Sequence, residues 1–366
     1  MKPLIRVFVA VTNDVSSDQR VHKVSCYLLS KGFKVMVYGR VLPSTFEVKR
    51  VYKIKRKQHI FNNSFLFYAE YNIRLLWFLL FNRFEIIYSN DLDTLPACFI
   101  ASKIFKSKLV YDSHEFFTEV PELVGRRFVR KVWLIIENIF LPYVKNAITV
   151  SESIADEYQK KYGLKMEILR NIPSVDAFQI IEEVNFPTKN KVILYQGILN
   201  PGRGIKPVID SLKFLKNVDL VIIGYGKVKD ELVAYVIKSK MDKRVHFLGR
   251  IPHEKLANYT RLADIGMVLE EPLGKSFSFS LPNKLFDFIH NEVPVLASPL
   301  IEVKKIIEEY KVGLLIKNYN PEHIAERIVL LLEDKELRRN IKNNQKNSKK
   351  ELCWENEIHV LDKFFL

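Results

Sequence analysis

Short runs of β-branched and aliphatic residues recur along the chain, at Val7 to Val11, Val35 to Tyr38, Ile86 to Tyr88, Leu109 to Tyr111 and Ala147 to Val150. Each is followed, after a loop, by a stretch with apolar residues at helical spacing, the pattern of parallel strand-helix-strand units. The alternation restarts after the polar, Pro-containing stretch Glu182 to Asn190, at Val192 to Tyr195, Leu220 to Ile223, Val245 to Leu248, Ile265 to Leu269 and Val293 to Ala297. This predicts an α/β chain of two doubly wound parallel-sheet domains, over residues 1–180 and 181–349. Ligands of such sheets bind at the carboxyl ends of the strands, and in a two-domain arrangement those ends can face one another across a cleft. Pro321 to Lys350 reads as helices with a basic, Asn-rich surface, and Trp354 to Leu366 carries apolar residues at near-helical intervals.

A length of 366 residues suits two domains of roughly 150 residues each. With 48% hydrophobic and 27% charged residues and 13 Gly, disordered and fibrous classes are excluded. Cys26, Cys98 and Cys353 form no Cys-x-x-Cys pair, which argues against a disulfide framework or thiolate zinc site and fits a reducing cytoplasm. The opening MKPLIRVFVAV reads as a strand broken by Arg6 rather than a signal peptide. The most apolar stretch, Leu75 to Phe81, is seven residues, far short of the about 20 needed to cross a bilayer.

Lys and Arg number 57 against 42 Asp and Glu, a net charge of +15 that implies an anionic partner: nucleotide, nucleic acid or lipid headgroup. Six of the nine residues 49–57, KRVYKIKRK, are basic and precede the aromatic stretch FNNSFLFYAEYNIRLLWFLLF. Arg126, Arg127, Arg130 and Lys131 open a second segment containing Phe128, Trp133 and Leu134. Both fit peripheral docking on an anionic membrane surface, and both also fit a solvated charge run beside a core helix. No nucleic-acid fold accompanies the charge, so no nucleic-acid partner is expected.

Three segments could carry chemistry. In Tyr195 to Ile205, YQGILNPGRGI, a strand runs into a Gly-rich turn and a helix pattern begins near Pro207. Gly197, Gly202 and Gly204 let the backbone approach a ligand, and Arg203 offers a fixed positive fork, which suits a diphosphate; a plain turn with a solvated Arg has the same spelling. The glycines spell neither a P-loop nor Gly-x-Gly-x-x-Gly. In Ser276 to Ser298, SFSFSLPNKLFDFIHNEVPVLAS, Ser280 and Pro282 suit a helix start whose amides, from Leu281 through Asn283 to Lys284, could face an anion. Asp287, about a turn further in, could hold a ribose diol or lie on the wet face of a capped helix. In Val110 to Glu122, VYDSHEFFTEVPE, a strand leads to Asp112, His114, Glu115 and Glu119. His114 could be a base, a sugar-hydroxyl binder, a metal ligand or a packed structural His; with no second His at i+4 and no nearby Cys, no metal is expected. Asp14, Asp18 and Arg20, after the first strand, could line the cleft or cap the helix starting near Gln19.

Taken in order, DQRVHKVSCYLLSKGFKV, NDLDTLPA, VYDSHE, ITVSESIADEY, ILRNIP, YQGILNPGRG, VHFLGRIPHEKLANYTRLADIGMVL, SLPNKLFDFI and VPVLAS make a series that resembles the retaining glycosyltransferases of family 4, the glycosyl transferases group 1. The resemblance implies a GT-B fold: two facing Rossmann-like domains, the N-terminal one receiving the acceptor and the C-terminal one gripping a nucleotide-sugar. It also implies a last helix, about residues 350–366, that crosses back to the first domain. Arg203 falls where the family places a basic residue on the donor diphosphate, and Asp287 where it places the ribose-binding acid of Glu-x7-Glu. Three positions depart from the pattern: Ile198 stands where many members have a second phosphate-binding Arg, Phe279 where many have the first Glu, and Glu292 where Gly is common. Glu270 and Glu271 are candidates to replace that first Glu.

The implied activity is transfer of a sugar, with retention, from a nucleoside-diphosphate sugar to a saccharide or lipid-linked acceptor in surface polysaccharide or glycoconjugate synthesis. The donor is a substrate, and no cofactor or metal is implied. His114, Arg203 and Glu115 are the implied catalytic residues; Gly197, Gly202, Arg203, Ser280, Leu281, Asn283, Lys284 and Asp287 the donor-binding ones; Asp18, Arg20 and Asp112 line the acceptor side or cleft. The setting is cytoplasmic, at the inner membrane face. A nucleotide-sugar epimerase of the same fold and a catalytically silent nucleotide-sugar-binding partner are the alternative readings.

Overall fold

The computed structural model describes residues 4–16, 18–42, 49–62, 64–120, 123, 125–176, 178 and 182–365. The expected boundary at residues 180 and 181, and Glu122 of the third segment, lie outside these. The chain forms two compact units, Met1–Arg170 with Ile358–Leu366, and Asn171–Glu357.

The first unit is built from β1 (Arg6–Asp14), β2 (Lys34–Arg40), β3 (Lys53–Lys57), β4 (Ile86–Asn90), β5 (Lys108–Ser113), β6 (Ala147–Thr149) and β7 (Glu167–Ile168). They pair in parallel in the order β3-β2-β1-β4-β5-β6-β7, with Val9 opposite Tyr88 and Ala10 opposite Ser89 between β1 and β4. The order reverses between β1 and β4, which makes their carboxyl ends the place for a site. Its main helices are α1 (Gln19–Ser30), α2 (Ser64–Phe81), α3 (Leu95–Phe105), α4 (Arg127–Phe140) and α5 (Glu152–Tyr162). Phe67, Tyr71, Leu75 and Leu79 recur every fourth residue along α2 and pack on Phe8, Tyr38 and Ile87. Each such side chain fully buried is worth about 1.5–3 kcal/mol, enough to fix the helix on the sheet. The apolar stretch Leu75 to Phe81 is thus the end of an 18-residue helix. Among the described residues no helix is long and apolar enough to cross a membrane.

The basic run 53–57 is a strand, which its composition concealed. KIKRK pairs along β2 from Met36 opposite Lys53 to Arg40 opposite Lys57, on the outer edge of the sheet. An edge strand presents unpaired backbone groups, and Lys residues there oppose further pairing while tolerating solvent.

The second unit has β8 (Lys191–Gln196), β9 (Val218–Ile223), β10 (Val245–Gly249), β11 (Ile265–Val268), β12 (Val295–Ala297) and β13 (Gly313–Leu315), all parallel, in the order β10-β9-β8-β11-β12-β13. Along β8 and β9 the side chains alternate: Ile193, Tyr195, Leu220 and Ile222 enter one core, Val192, Leu194, Val221 and Ile223 the other. Burial on both faces explains the near-continuous apolar runs. The helices are α6 (Ile205–Ser211), α7 (Lys229–Lys238), α8 (His253–Thr260), α9 (Lys275–Ser278), α10 (Asn283–His290), α11 (Ile301–Tyr310), α12 (Pro321–Glu333), α13 (Lys335–Ser348) and α14 (Trp354–Glu357). α6 begins two residues before the expected Pro207, because Gly204 takes a left-handed φ of 65° and turns the chain there. A Cβ at Gly204 would lie 2.0 Å from the Leu269 carbonyl oxygen, so no other residue fits.

The tail is not the single helix expected over about 350–366. It comprises α14, a 3-10 turn over Ile358–Leu361 and α15 (Asp362–Phe365). Its last part completes the first unit: Asp362 accepts from Tyr27 Oη at 2.5 Å, and the Phe365 ring lies 5.8 Å from that of Phe33.

Candidate functional site

At the strand-order reversal of the second unit, two cations, one from a turn and one from the start of a helix, converge on one carboxylate. Glu270 follows β11 and is wholly buried; its Oε1 lies 2.8 Å from Lys284 Nζ and 3.5 Å from Arg203 Nη1. Lys284 comes from the first turn of α10, lies against Gly197 and sits 4.0 Å above the Tyr195 ring. Arg203, in the turn after β8, lies 4.9 Å above the Phe277 ring. Burial alone would raise the Glu270 carboxyl, but Lys284 and then Arg203 outweigh it and hold it below the usual range. One carboxylate against two cations leaves an excess of positive charge. Glu270 Oε2 and Arg203 Nε are moreover buried with no hydrogen-bond partner, which marks unfinished polar chemistry.

The N-cap of α10 is Pro282, whose side chain makes no capping hydrogen bond to the first amides of the helix. Ser280 does not cap it: its hydroxyl donates to Phe277 O at 2.8 Å, because the short helix α9 ends there and takes the serine. Leu281 is half-buried and Asn283 exposed at the same mouth. Asp287, a turn further in, accepts from Gln196 Nε2 at 3.0 Å, and Gln196 accepts in turn from Thr260 at 2.8 Å. Gly197 and Gly202, both at positive φ, shape the turn on which Arg203 stands. Ile198 is half-exposed on that turn, and Glu271 is tied through its amide to the Gly202 carbonyl at 2.8 Å.

In the first unit, the carboxyl ends of β1, β4 and β5 bring together residues distant in sequence. Arg20 reaches from α1 and grips Asp112 with two hydrogen bonds of 2.8 Å, donating a third of 2.7 Å to Leu169 O. Tyr88 adds a 2.6 Å bond to Asp112. Arg20 and Asp112 are 3% and 0% exposed, so they are interior residues whose route to any ligand runs through His114. The His114 ring lies between two carboxylates, 3.3 Å from Asp91 Oδ2 through Nδ1 and 3.3 Å from Asp112 Oδ2 through Nε2. Asp18 caps α1, accepting from Val21 N at 3.0 Å, and the Glu115 side chain is exposed.

Asp91 and Asp93, inside NDLDTLPA, were not among the expected site residues. Asp91 occupies a left-handed conformation, φ 59°, directly after β4, and also accepts from the His114 amide at 2.9 Å. Asp93 accepts from Thr12 of β1 at 2.5 Å, bridging the two strands where their order reverses. Two acids immediately after a strand were the available signal.

These contacts set the charges. Burial by itself would lower the His114 pKa, but Asp91 and then Asp112 push it up to about 9. Burial would raise the Asp112 carboxyl, yet Arg20 and His114 hold it well below the usual carboxylate range. Burial, with Asp91 beside it, pushes Asp93 up to about 7. At neutral pH His114 is therefore an imidazolium, a donor rather than a base. Its charge stabilises the fold fully below about 6.5, its unfolded value, and that stabilisation is lost as pH rises through about 9. Thermal unfolding should fall by several degrees between pH 7 and 9.5, and His114→Gln should flatten that slope.

Two family models match the chain, Glycosyltransferase Family 4 over residues 18–174 and Glycosyl transferases group 1 over residues 176–348. A Campylobacter jejuni GalNAc-alpha-(1->4)-GalNAc-alpha-(1->3)-diNAcBac-PP-undecaprenol alpha-1,4-N-acetyl-D-galactosaminyltransferase is 26% identical over 268 residues, 71% of this chain and 68% of that enzyme. Three uncharacterized glycosyltransferases of Methanocaldococcus jannaschii match over 44%, 50% and 56% of their lengths, at 25–27% identity. Sucrose-phosphate synthase from Thermosynechococcus elongatus superposes with a TM-score of 0.83 at 16% identity, covering 99% of this chain and 98% of that one. HepE of Anabaena, in complex with UDP and glucose, gives 0.74 at 15% identity, covering 98% of each chain. These identities carry the fold alone, and that fold is GT-B. With one family model on each of its parallel-sheet units, the chain belongs to the group 1, family 4 glycosyltransferases.

Proposed function

We propose that the second unit binds a nucleoside-diphosphate sugar and that the chain transfers the sugar, with retention, to a saccharide or lipid-linked acceptor in surface polysaccharide or glycoconjugate synthesis. The carrying observation is the pair Arg203 and Lys284 on the single buried Glu270, beside the uncapped start of α10. A diphosphate supplies the anionic charge this arrangement lacks, and it fits a fork, a point charge and a helix mouth together. Arg203, Lys284 and the amides from Leu281 to Lys284 hold the diphosphate, Ser280 and Asn283 border it, and Gly197 and Gly202 permit its close approach. Asp287, fixed by Gln196, takes the ribose diol.

In the reaction the acceptor oxygen bonds to the anomeric carbon as the bond from that carbon to the diphosphate breaks, on the same face. Negative charge grows on the leaving diphosphate, and the fixed cations stabilise it where it develops. They supply the charge that a metal ion provides in other phosphate sites. The acceptor hydroxyl passes its proton to the departing diphosphate oxygen, since His114 already carries its proton. His114 donates instead to the donor sugar or acceptor, with Glu115 beside it and Asp91, Asp112 and Arg20 as positioning residues. The Campylobacter relative, whose name specifies an undecaprenol-diphosphate-linked substrate, supports a lipid-linked acceptor, and HepE with UDP supports a nucleotide donor. We place the enzyme in the cytoplasm, where its three free cysteines stay reduced.

UDP or GDP at about a hundred times its Kd should stabilise the fold by about 2.7 kcal/mol, a rise of several degrees in Tm. UDP- and GDP-sugars assayed with polyprenyl-diphosphate saccharides should release nucleoside diphosphate and lengthen the acceptor with the donor's anomeric configuration. A donor sugar converted to its epimer with no acceptor consumed would replace this reading with an epimerase. Binding without turnover of any donor would leave a silent partner.

A further inference from the structure

The charge beside the start of α10 is gathered on one oxygen. Lys284 Nζ and Arg203 Nη1 both approach Glu270 Oε1, at 2.8 Å and 3.5 Å, while Oε2 is buried with no hydrogen-bond partner. The Lys284 and Glu270 side chains are 8% and 0% exposed, so water screens neither well. Each cation lies on a ring, Lys284 on Tyr195 and Arg203 on Phe277. Lys284 Nζ and Arg203 Nε are both buried without an aligned acceptor, so charge rather than directed bonding holds them at the carboxylate.

Glu270 is anchored where the cations are not. It stands directly after β11, and its backbone carbonyl accepts from Ser298 Oγ at 2.8 Å and from Tyr319 Oη at 2.5 Å. Ser298, just after β12, is wholly buried, and its amide donates to Val268 O at 2.9 Å, which ties the ends of β11 and β12 together. The carboxylate is therefore a fixed anion built into the sheet, whereas Lys284 reaches it on a flexible four-carbon stem. A fixed anion that already satisfies two cations competes with any second anion that needs them, and in a dry site the attraction at about 3 Å is strong on both sides.

The next step rests on the reading of this site as one for a diphosphate. We propose that Glu270 is a positioning residue that tempers it: the carboxylate keeps Lys284 and Arg203 converged while the site is empty, yields Lys284 to the diphosphate, and takes it back when the diphosphate leaves. The need arises on the product side. Once the bond to the sugar is broken, the terminal phosphate has one more ionisable oxygen, with a pKa near 6, so at neutral pH a nucleoside diphosphate carries about one more negative charge than its sugar conjugate. Two uncompensated cations would hold that product longer than the donor. A buried counter-ion lowers the affinity for both, and lowers it most for the product. The role is exerted through the two cations.

Calorimetric titration of the full chain with UDP, GDP, UDP-glucose and GDP-glucose reads this directly. Glu270→Gln should bind the diphosphate that the parent binds about tenfold or more tightly, with a smaller gain for the sugar conjugate. A purely structural role has the opposite sign, because loosened cations bind worse. The Tm of empty Glu270→Gln should fall, since Lys284 is left buried without its counter-ion, and the bound diphosphate should close most of that gap. Glu270→Asp keeps the charge but withdraws it by one methylene, and should tighten binding about threefold. It carries the test if Glu270→Gln does not fold when empty. In turnover, kcat and the donor KM should fall together in Glu270→Gln, as product release becomes limiting. Binding by the parent with unchanged or weaker binding in the Glu270 variants would overturn this role and leave the diphosphate reading in place; no binding of UDP or GDP by the parent would overturn both.

Discussion

Arg203→Ala is expected to lower kcat for sugar transfer by about 10² to 10³ while Tm stays within a degree of the parent. The two halves of this result have separate causes. Arg203 is 22% exposed and its ion pair with Glu270 is the longer of two, at 3.5 Å. Without it Glu270 keeps Lys284 at 2.8 Å, so no buried charge is stranded and the fold persists. In the proposed reaction, however, the guanidinium is the planar fork aimed at a leaving diphosphate, and its interaction would strengthen as charge builds there. An interaction made more strongly in the transition state than in the bound substrate appears in kcat, whereas one made equally in both appears in KM. Arg203→Lys should recover only part of the rate, because an ammonium cannot bind two oxygens in one plane. The Tm rise with UDP or GDP should shrink in the same variants. Undiminished turnover in Arg203→Ala, measured with saturating donor, would remove the phosphate role assigned to this turn.

Arg20→Met should do the opposite, damaging the fold first, because Arg20 is an interior residue. It removes from Asp112, a wholly buried carboxylate, the guanidinium and its two 2.8 Å bonds, leaving only Tyr88 at 2.6 Å and the His114 ring at 3.3 Å, and it leaves Leu169 O without its donor. Removing one partner of a buried pair costs about 3–5 kcal/mol. At roughly 2–4 °C per kcal/mol for a unit of this size, Tm should drop by roughly 6–20 °C. The pH dependence distinguishes this from lost packing. Asp112 is held below the usual carboxylate range, so its stabilisation is present above its unfolded value near 3.8 and is lost as pH falls. Arg20→Met should therefore lose most against the parent at neutral pH and least in acid. Arg20→Met combined with Asp112→Leu should regain part of the loss, since two apolar side chains leave no buried charge. A Tm within a degree or two of the parent for Arg20→Met would show that Asp112 finds water or another donor.

Much of the fold was legible because its signals are local. Runs such as Val192 to Tyr195 and Leu220 to Ile223 are apolar on both faces, which parallel strands require, and ten of the thirteen strands announced themselves this way. The three that did not are instructive. β3 is basic because it lies at a sheet edge, β7 is only two residues long, and β13 is a three-residue strand that opens on Gly313. Pro282 marked the start of α10 without any structure, but Ser280 looked like its cap and instead closes the turn before it. The sequence offered two acids for the place taken by Phe279, and the structure separates them: Glu270 is buried under two cations, whereas Glu271 is held by its backbone.

What the sequence determined by itself was the succession of strands and helices and the residue types standing just after strands, because periodicity and chain breaks act over a few residues. Which of those residues meet was decided by tertiary structure alone. Arg20 and Asp112 are separated by 92 positions and Arg203 and Glu270 by 67, and only the order in which the strands pair brings them within bonding distance. The charge state of His114 and the excess positive charge around Glu270 follow from that pairing, because both depend on how many opposite charges are buried within a few ångströms. So does the exposure of a second apolar stripe on α2, at Phe65, Ile73, Trp77 and Phe81: a helix apolar on two sides reads as core throughout, until the sheet covers one side and leaves the other bare.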